Sequence, residues 1–186
     1  MPLLTIFSAP KPFTDPHIAT IQRNAMQSWL GLGPEVEVFL VGEEAGLVEV
    51  ARDFSLEVLA PVKRNLSGTP LVSSIFSLAR QASSSPFLVF VNADIILMND
   101  LVKAVSTVSR SLGINNFQDN NSFLMIGQRW DLEIRRLLEF SSDWEQQLVT
   151  EIRTNGQLHA PAGSDYFVFP REAFSEIRCR ELRLAK

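Results

Sequence analysis

Asn92, Ala93 and Asp94 close the run Phe87-Leu88-Val89-Phe90-Val91, and of all residues in the chain they have the clearest chemical content. Five consecutive apolar residues without alternation suit a strand covered on both faces, as in the middle of a parallel sheet between helices. An ionised carboxylate at the end of such a strand is costly unless something pairs with it, and acids in perturbing surroundings concentrate at functional sites. Asn92 and Asp94 stand two apart, so in extended chain their side chains leave the same face and can converge on one cation or phosphate. Asp94 is the metal-ligand candidate; its structural alternative, capping the next helix, is already met by Asn99 and Asp100. Asn92 has two readings, an amide oxygen that ligates a hard cation or one that bonds to backbone.

Other candidates follow from position. Open α/β sheets bind ligands outside the carboxyl ends of their strands, and Ser8, Ala9, Pro10 and Lys11, then Gly42-Glu43, then Arg64-Asn65 all fall at such ends. One crevice can gather them with Asp94, although each is also an ordinary turn residue type. Gly127-Gln128-Arg129-Trp130-Asp131 closes a strand with a cation, an aromatic and an acid, any of which can frame a sugar or a diphosphate. A surface ion pair between Arg129 and Asp131 is the simpler alternative. In Ala160-Pro161-Ala162-Gly163-Ser164-Asp165-Tyr166 the small residues permit a ligand to approach the backbone closely, and Asp165 supplies an acceptor. His17 and His159 are too isolated to signal a zinc site, and His17 reads as a solvated first-turn residue. The Trp and Phe residues at helical spacing read as core.

These groups need a scaffold, and strand-like and helix-like patterns alternate along the chain. Leu3 to Phe7 is a first strand, followed by a stiff loop over Ser8 to Pro12. A helix opens at Asp15 with Pro16 in its first position, carries Ile18, Ile21, Ala25 and Trp29 on one face, and stops at Gly31 and Gly33. Val36 to Val41 is the second strand; Leu47, Val50, Ala51 and Phe54 mark one face of a short helix. Leu56 to Val62 is the third strand, and the polar loop Lys63 to Gly68 is placed for a phosphate contact. Thr69 caps and Pro70 opens a helix that turns Leu71, Ile75, Leu78, Ala79 and Ala82 inward. After the central strand, Asn99 caps a helix bearing Leu101, Val105, Val108 and Leu112, closed by Gly113, and a polar loop covers Asn115 to Ser122. Phe123 to Gly127 is a strand, Trp144, Leu148 and Ile152 mark a helix, and Tyr166 to Phe169 is the last strand. The pattern predicts a three-layer α/β/α sandwich with a mainly parallel central sheet.

Composition bounds the rest. A chain of 186 residues with 46% hydrophobic content suits one compact domain, here residues 1–177, with 178–186 an atypical tail. The net charge of −4 carries no basic excess for a phosphate-backbone footprint, so nucleic acid is not an expected partner, whereas a small anionic ligand is compatible. Cys179 is the lone cysteine, which excludes an intrachain disulfide framework and a four-cysteine zinc site and points to a reducing, cytoplasmic compartment. The N-terminus lacks a basic leader, and no segment approaches the roughly 18 to 20 apolar residues that cross a bilayer.

The N-terminal strand and loop, the βα units and the strand ending in Asn92-Ala93-Asp94 together resemble glycosyltransferases of the GT-A fold, with Asn-x-Asp where those enzymes carry Asp-x-Asp. More narrowly, Asn92 to Leu97, Gly127 to Asp131 and Gly163 to Arg171 look like patches shared by a group of nucleotide-sugar transferases. The resemblance implies a nucleotide-diphosphate sugar donor, an unidentified acceptor and Mn²⁺ or Mg²⁺. It sets Ser8, Ala9 and Pro10 against the nucleotide base and Asp94 on a cation bridging the two phosphates, with Asn92 and Ala93 completing the motif. The departure is after Tyr166-Phe167-Val168-Phe169-Pro170-Arg171, where such proteins continue into a segment rich in Trp, Asp and Asn on the acceptor side. A chain that lacks that segment binds a donor without a complete acceptor pocket or general base.

Sugar transfer leaves a nucleoside diphosphate whose growing negative charge must be met. Asp94 would hold the cation that meets it, and Arg64 or Arg80 can add to it. An inverting reaction also needs a carboxylate to take the acceptor proton, and Asp165 is the first candidate, with sugar binding as its other role. Two further classes stay open. A sugar nucleotidyltransferase uses a related layout but a Gly-rich loop after the first strand, where Ser8-Ala9-Pro10-Lys11 has no Gly. A donor-binding domain without turnover fits the short carboxyl end. A dinucleotide oxidoreductase fits less well, because Gly31-Leu32-Gly33-Pro34 precedes a strand instead of linking strand to helix.

Overall fold

The computed structural model describes residues 1–111 and 123–173. Leu112, Gly113, the polar loop at 115–122, Cys179 and the tail at 178–186 lie outside them. In chain order the elements are β1 (Leu4–Ser8), α1 (Pro16–Leu30), β2 (Val36–Val41), α2 (Leu47–Asp53), β3 (Glu57–Leu59), α3 (Val72–Ala82), β4 (Phe87–Val91), α4 (Asp100–Ser111), β5 (Met125–Ile126), β6 (Trp130–Asp131), α5 (Trp144–Asn155), β7 (Gln157–Leu158) and β8 (Tyr166–Pro170).

Six strands form the main sheet in the order β3-β2-β1-β4-β8-β5, and β6 pairs with β7 apart from it. The first four of these, β3, β2, β1 and β4, run parallel. The three-layer, mainly parallel α/β/α architecture expected from the alternation of elements is therefore present. Strand periodicity divides the core in two. Leu4, Ile6, Val38, Leu40, Phe87 and Val89 pack with Ala25, Met26, Trp29, Leu47 and Leu101 from α1, α2 and α4 on one face. Phe7, Phe39, Val41, Leu88 and Phe169 meet Ile75 and Ala79 of α3 on the other. There Phe76 stands edge-on to Phe7 at 5.0 Å between ring centroids and lies parallel to Phe169 at 5.7 Å.

Helix α1 starts where its cap requires. Asp15 accepts from the backbone N–H groups of His17 and Ile18 at 2.8 and 2.9 Å, and Pro16 follows in the first turn. Its buried face is partly polar, and those groups hold loops in place. Trp29 Nε1 donates to the Ile95 carbonyl at 2.9 Å, Leu97 N donates to Ser28 Oγ at 3.1 Å, and Asn24 bonds the backbone of Arg136 and Leu138. Gln22 bonds both backbone groups of Lys11 and so fixes the loop after β1.

The third strand and α3 differ from the sequence expectation, β5 covers two residues instead of five, and β6 and β7 have no counterpart in it. The third strand is three residues long, and α3 begins at Val72 with Leu71 as a cap lacking a side-chain bond, so Thr69 and Pro70 do not open it. Instead, residues 63–71 fold back on themselves, with Leu71 N donating to Lys63 O at 2.8 Å and Asn65 N to Thr69 O at 2.9 Å. Asn99 at the head of α4 turns its side-chain amide to Glu145, at 2.9 Å.

Strand direction then decides what meets at the ligand-facing edge. Because β8 runs antiparallel to β4, its start, with Asp165 just before it, lies where β4 ends. Strand β5 is antiparallel to β8 and so runs with β4, which brings Gly127 to Arg129 out at the same edge. Among the described residues, no helix is long and apolar enough to cross a membrane.

Candidate functional site

The carboxyl end of β4 opens onto a cavity of about 480 Å³. Its wall includes Asp94 to Met98, Asp100 and Leu101 after β4, His17, Ile21 and Asn24 of α1, Gln128 to Ile134, Leu148 and Ile152 of α5, and Tyr166. The volume falls in the range of small-molecule sites, which are mostly apolar with a few placed polar groups.

The strand stops at Val91, and residues 92–95 form a turn in which Ile95 N donates to Asn92 O at 3.1 Å. Two expectations change as a result. Alternation no longer applies, so Asn92 and Asp94 diverge: Asn92 Nδ2 donates to Asp165 Oδ1 at 2.9 Å, while Asp94 lies on the cavity wall. Asp94 is also exposed, so the cost of burying its charge does not arise. Among the described residues no hydrogen bond or ion pair engages its carboxylate.

Asp165 is the buried acid of the site, at 5% exposure. Asn92 bonds one oxygen, and Arg129 Nη1 bonds the other at 2.5 Å. With both oxygens engaged, and no place on the cavity wall, it does not fit the base role expected of it and instead anchors Arg129. Arg129 makes the expected pair with Asp131, Nε to Oδ1 at 2.7 Å, so the surface ion pair and the buried one share a single guanidinium. The two carboxylates raise the Arg129 pKa above its ordinary value, through the hydrogen bonds it donates to Asp131 first and Asp165 second.

His159 completes the network, and Gly163 is the one local trace of it in the sequence. Its Nδ1 lies 2.6 Å from Asp131 Oδ2, and Arg129 Nη2 lies 3.0 Å from Nδ1 and 3.3 Å from Nε2. An Nδ1–H tautomer donates to Asp131, while Arg129 Nη2, close to both ring nitrogens, lies against the ring and not along a lone pair. Gly163 makes room for this ring, since a Cβ there would fall 2.3 Å from His159 Cδ2. The space left by the small residues at 160–164 is thus filled by the protein's own histidine where a ligand was expected.

The hydrogen bond from Arg129, then that from His159, holds the Asp131 carboxyl below the usual range. A depressed folded value means that the stabilisation is full above the ordinary carboxylate pKa and is lost as the pH falls through the lowered one. A ¹³C NMR titration of the Asp131 carboxyl should give a midpoint below the usual Asp value. A midpoint at or above that value would remove the network from solution.

Gly127 fixes the cavity's far wall. A Cβ there would lie 1.7 Å from Tyr166 Cζ, so the phenol ring occupies the space a side chain would need. Burial pushes the Tyr166 hydroxyl pKa up, and the Asp100 charge adds to this. Gly127→Ala must displace the ring or the strand end, at a cost of about 1–3 kcal/mol or more. Urea denaturation reads this directly, and an unchanged midpoint would show that the ring moves away freely.

The remaining sequence candidates separate into two groups. Ser8, Ala9, Pro10, Glu43, Arg64 and Asn65 do reach the carboxyl edge of the sheet, beside but not lining the cavity. Ser8 is fully buried, and its Oγ donates to Val91 O at 2.6 Å, stitching β1 to β4; any ligand contact there falls to the loop that follows. Glu43 Oε2 accepts from Val62 N at 3.4 Å, and Arg64 bonds Glu44 at 2.7 Å and the Gly68 carbonyl at 2.9 Å. Asn65 Oδ1 accepts from Ser67 N and Thr69 N and so builds its own turn. Arg80 lies away from the site, contrary to the sequence expectation. It donates to Ala173 O beyond the end of β8, at the opposite edge of the sheet from Asp94, because helix α3 runs back toward the start of β4.

A divalent cation fits this edge only in part. Among the described residues no group of three or more His, Cys, Asp or Glu is placed to hold a metal ion. Asp94 offers a hard oxygen donor open to the cavity, and Mg²⁺-type ions are commonly held by one or two carboxylates with phosphate oxygens and water completing the shell. The donor set therefore suits a cation that arrives with a diphosphate.

No protein-family model matches the chain, and no curated protein matches it. Among solved structures it is similar to a protein from Desulfovibrio desulfuricans G20, provisionally described as a nucleotide-diphospho-sugar transferase. The identity is 15% over 97% of this chain and 71% of that one, with a TM-score of 0.50. It is also similar to residues 1–349 of S. aureus TarS, with 12% identity over 60% of this chain and 33% of that one, and a TM-score of 0.38. The first likeness shows the fold: the chain shares the α/β sandwich of that structure.

Proposed function

We propose that the chain is a glycosyltransferase that binds a nucleoside-diphosphate sugar over the carboxyl edge of the sheet and passes the sugar to an acceptor in the adjoining cavity. The observation that carries this reading is Asp94: an exposed carboxylate with no protein partner among the described residues, at the end of the central parallel strand, on the wall of a 480 Å³ cavity. In an open sheet this is the ligand-binding position. The loops after β1, β2 and β3 would take the nucleotide, and Asp94 would hold Mn²⁺ or Mg²⁺ against the diphosphate. Such a cation, when bound, supplies Lewis-acid stabilisation of the leaving diphosphate. Arg129 is saturated by two carboxylates, so its role is to fix the cavity wall. The acceptor's proton falls to a carboxylate that lines the cavity, namely Asp100 or Glu133, since both oxygens of Asp131 are engaged by Arg129 and His159.

Calorimetric titration with a panel of nucleotide-diphosphate sugars, in Mn²⁺ and again in EDTA, tests the reading. Divalent-dependent binding with slow hydrolysis of the donor is the expected result. Binding without hydrolysis would reduce the protein to a donor-binding domain, and no binding by any donor would remove the proposal.

A further inference from the structure

Trp130 is 51% exposed on the wall of the cavity, on the two-residue strand β6. Its cross-strand partner Leu158 is 47% exposed, so the pair is packed from one side only. The backbone that carries the indole is nevertheless anchored. Arg129, its neighbour in sequence, is tied to Asp131, Asp165 and His159, and the Arg129 carbonyl accepts from His159 N at 2.9 Å. An aromatic face open to a cavity is a surface that a ligand with an apolar face can cover.

The charges around it narrow the class of ligand. Asp94, Asp100, Asp131 and Glu133 line the cavity; Asp131 is paired with Arg129 and Glu133 with Arg135, whereas Asp94 and Asp100 have no ion-pair partner among the described residues, and Arg129 on the same wall is already committed to carboxylates. Such a wall repels anions and accepts hydrogen bonds from hydroxyl groups. A neutral sugar ring has both required features, a C–H face for the indole and hydroxyl donors for the carboxylates.

We infer that Trp130 is the stacking platform for a neutral saccharide acceptor, a step that rests on the transferase reading above. The test is saturation-transfer NMR with affinity titrations of methyl β-glucoside, methyl β-galactoside, glucuronate and octyl β-glucoside. Each is applied to the wild type, Trp130→Ala and Trp130→Phe, with thermal melts to confirm folding. At least one neutral methyl glycoside should bind with its C–H face most strongly saturated. Its affinity should fall about tenfold in Trp130→Ala and recover to within about threefold in Trp130→Phe, with glucuronate binding more weakly than the neutral rings.

Equal affinity in Trp130→Ala overturns the inference. So does octyl glucoside binding far more tightly than the methyl glycoside with no dependence on Trp130, which would make this an aliphatic-chain site. The donor titration separates the two proposals. Donor binding with no saccharide binding to the wild type overturns the platform alone. Saccharide binding with no donor binding leaves the platform standing and removes the transferase reading.

Discussion

Arg129→Ala should lower the stability of the protein by about 3–5 kcal/mol, the usual result of removing one partner of a buried ion pair. The side chain of Asp165 is 7% exposed, and with the guanidinium gone Asn92 would be its remaining side-chain partner. Coulomb attraction is lost while the desolvation of the carboxylate remains, so the penalty is set by Asp165 more than by Arg129. Asp165→Asn in the Arg129→Ala background removes the stranded charge and should recover a sizeable part of the loss, giving a non-additive double-mutant cycle. Chemical denaturation with an unchanged m-value is the measurement. A loss below about 1 kcal/mol, in the range of surface pairs, would mean that water already solvates Asp165 and that the clasp does not hold the site.

Asp94→Ala should behave in the opposite way. The side chain is exposed and no described residue bonds to it, so stability should change by no more than about 0.5 kcal/mol. Divalent-dependent binding of a nucleotide-diphosphate sugar should fall by about 100-fold or more, since loss of even the outer partners of a metal ligand costs 10–100-fold. Asp94→Asn should fall nearly as far, because an amide oxygen lacks the charge. Residual binding in EDTA should be the same in all three proteins. If Mn²⁺ strengthens donor binding equally with and without Asp94, the cation sits elsewhere and the functional proposal fails. Together the two variants separate what builds this edge of the sheet from what it does.

Much of the fold was legible along the chain because its elements carry local signals. Five apolar residues in a row marked β4, and Asp15-Pro16 marked the start of α1, because an unpaired N–H needs a nearby acceptor wherever the helix packs. Thr69-Pro70 carried the same signal and failed, because the hydrogen bonds of the 63–71 loop outweighed it. Strands β6 and β7, two residues each, are too short to show any periodicity. The direction of β8 leaves no mark on its own residues, since Tyr-Phe-Val-Phe-Pro packs on both faces either way.

For the site, the amino-acid sequence on its own determined which residues have chemistry to offer: Asn92, Asp94, Arg129, Asp131 and Asp165 could all be named from type and position. Their roles were decided only by tertiary contacts, because those roles depend on partners far along the chain. Asn92 meets Asp165 across 73 residues, and Arg129 meets it across 36. Those two contacts make Asp165 an anchor and leave Asp94 as the open acid. His159 enters by the same route, through the pairing of β7 with β6, and Gly163 was its one local trace. Periodicity reports which face of an element is buried, but which charge neutralises which is set by the order and direction of the strands that bring them together.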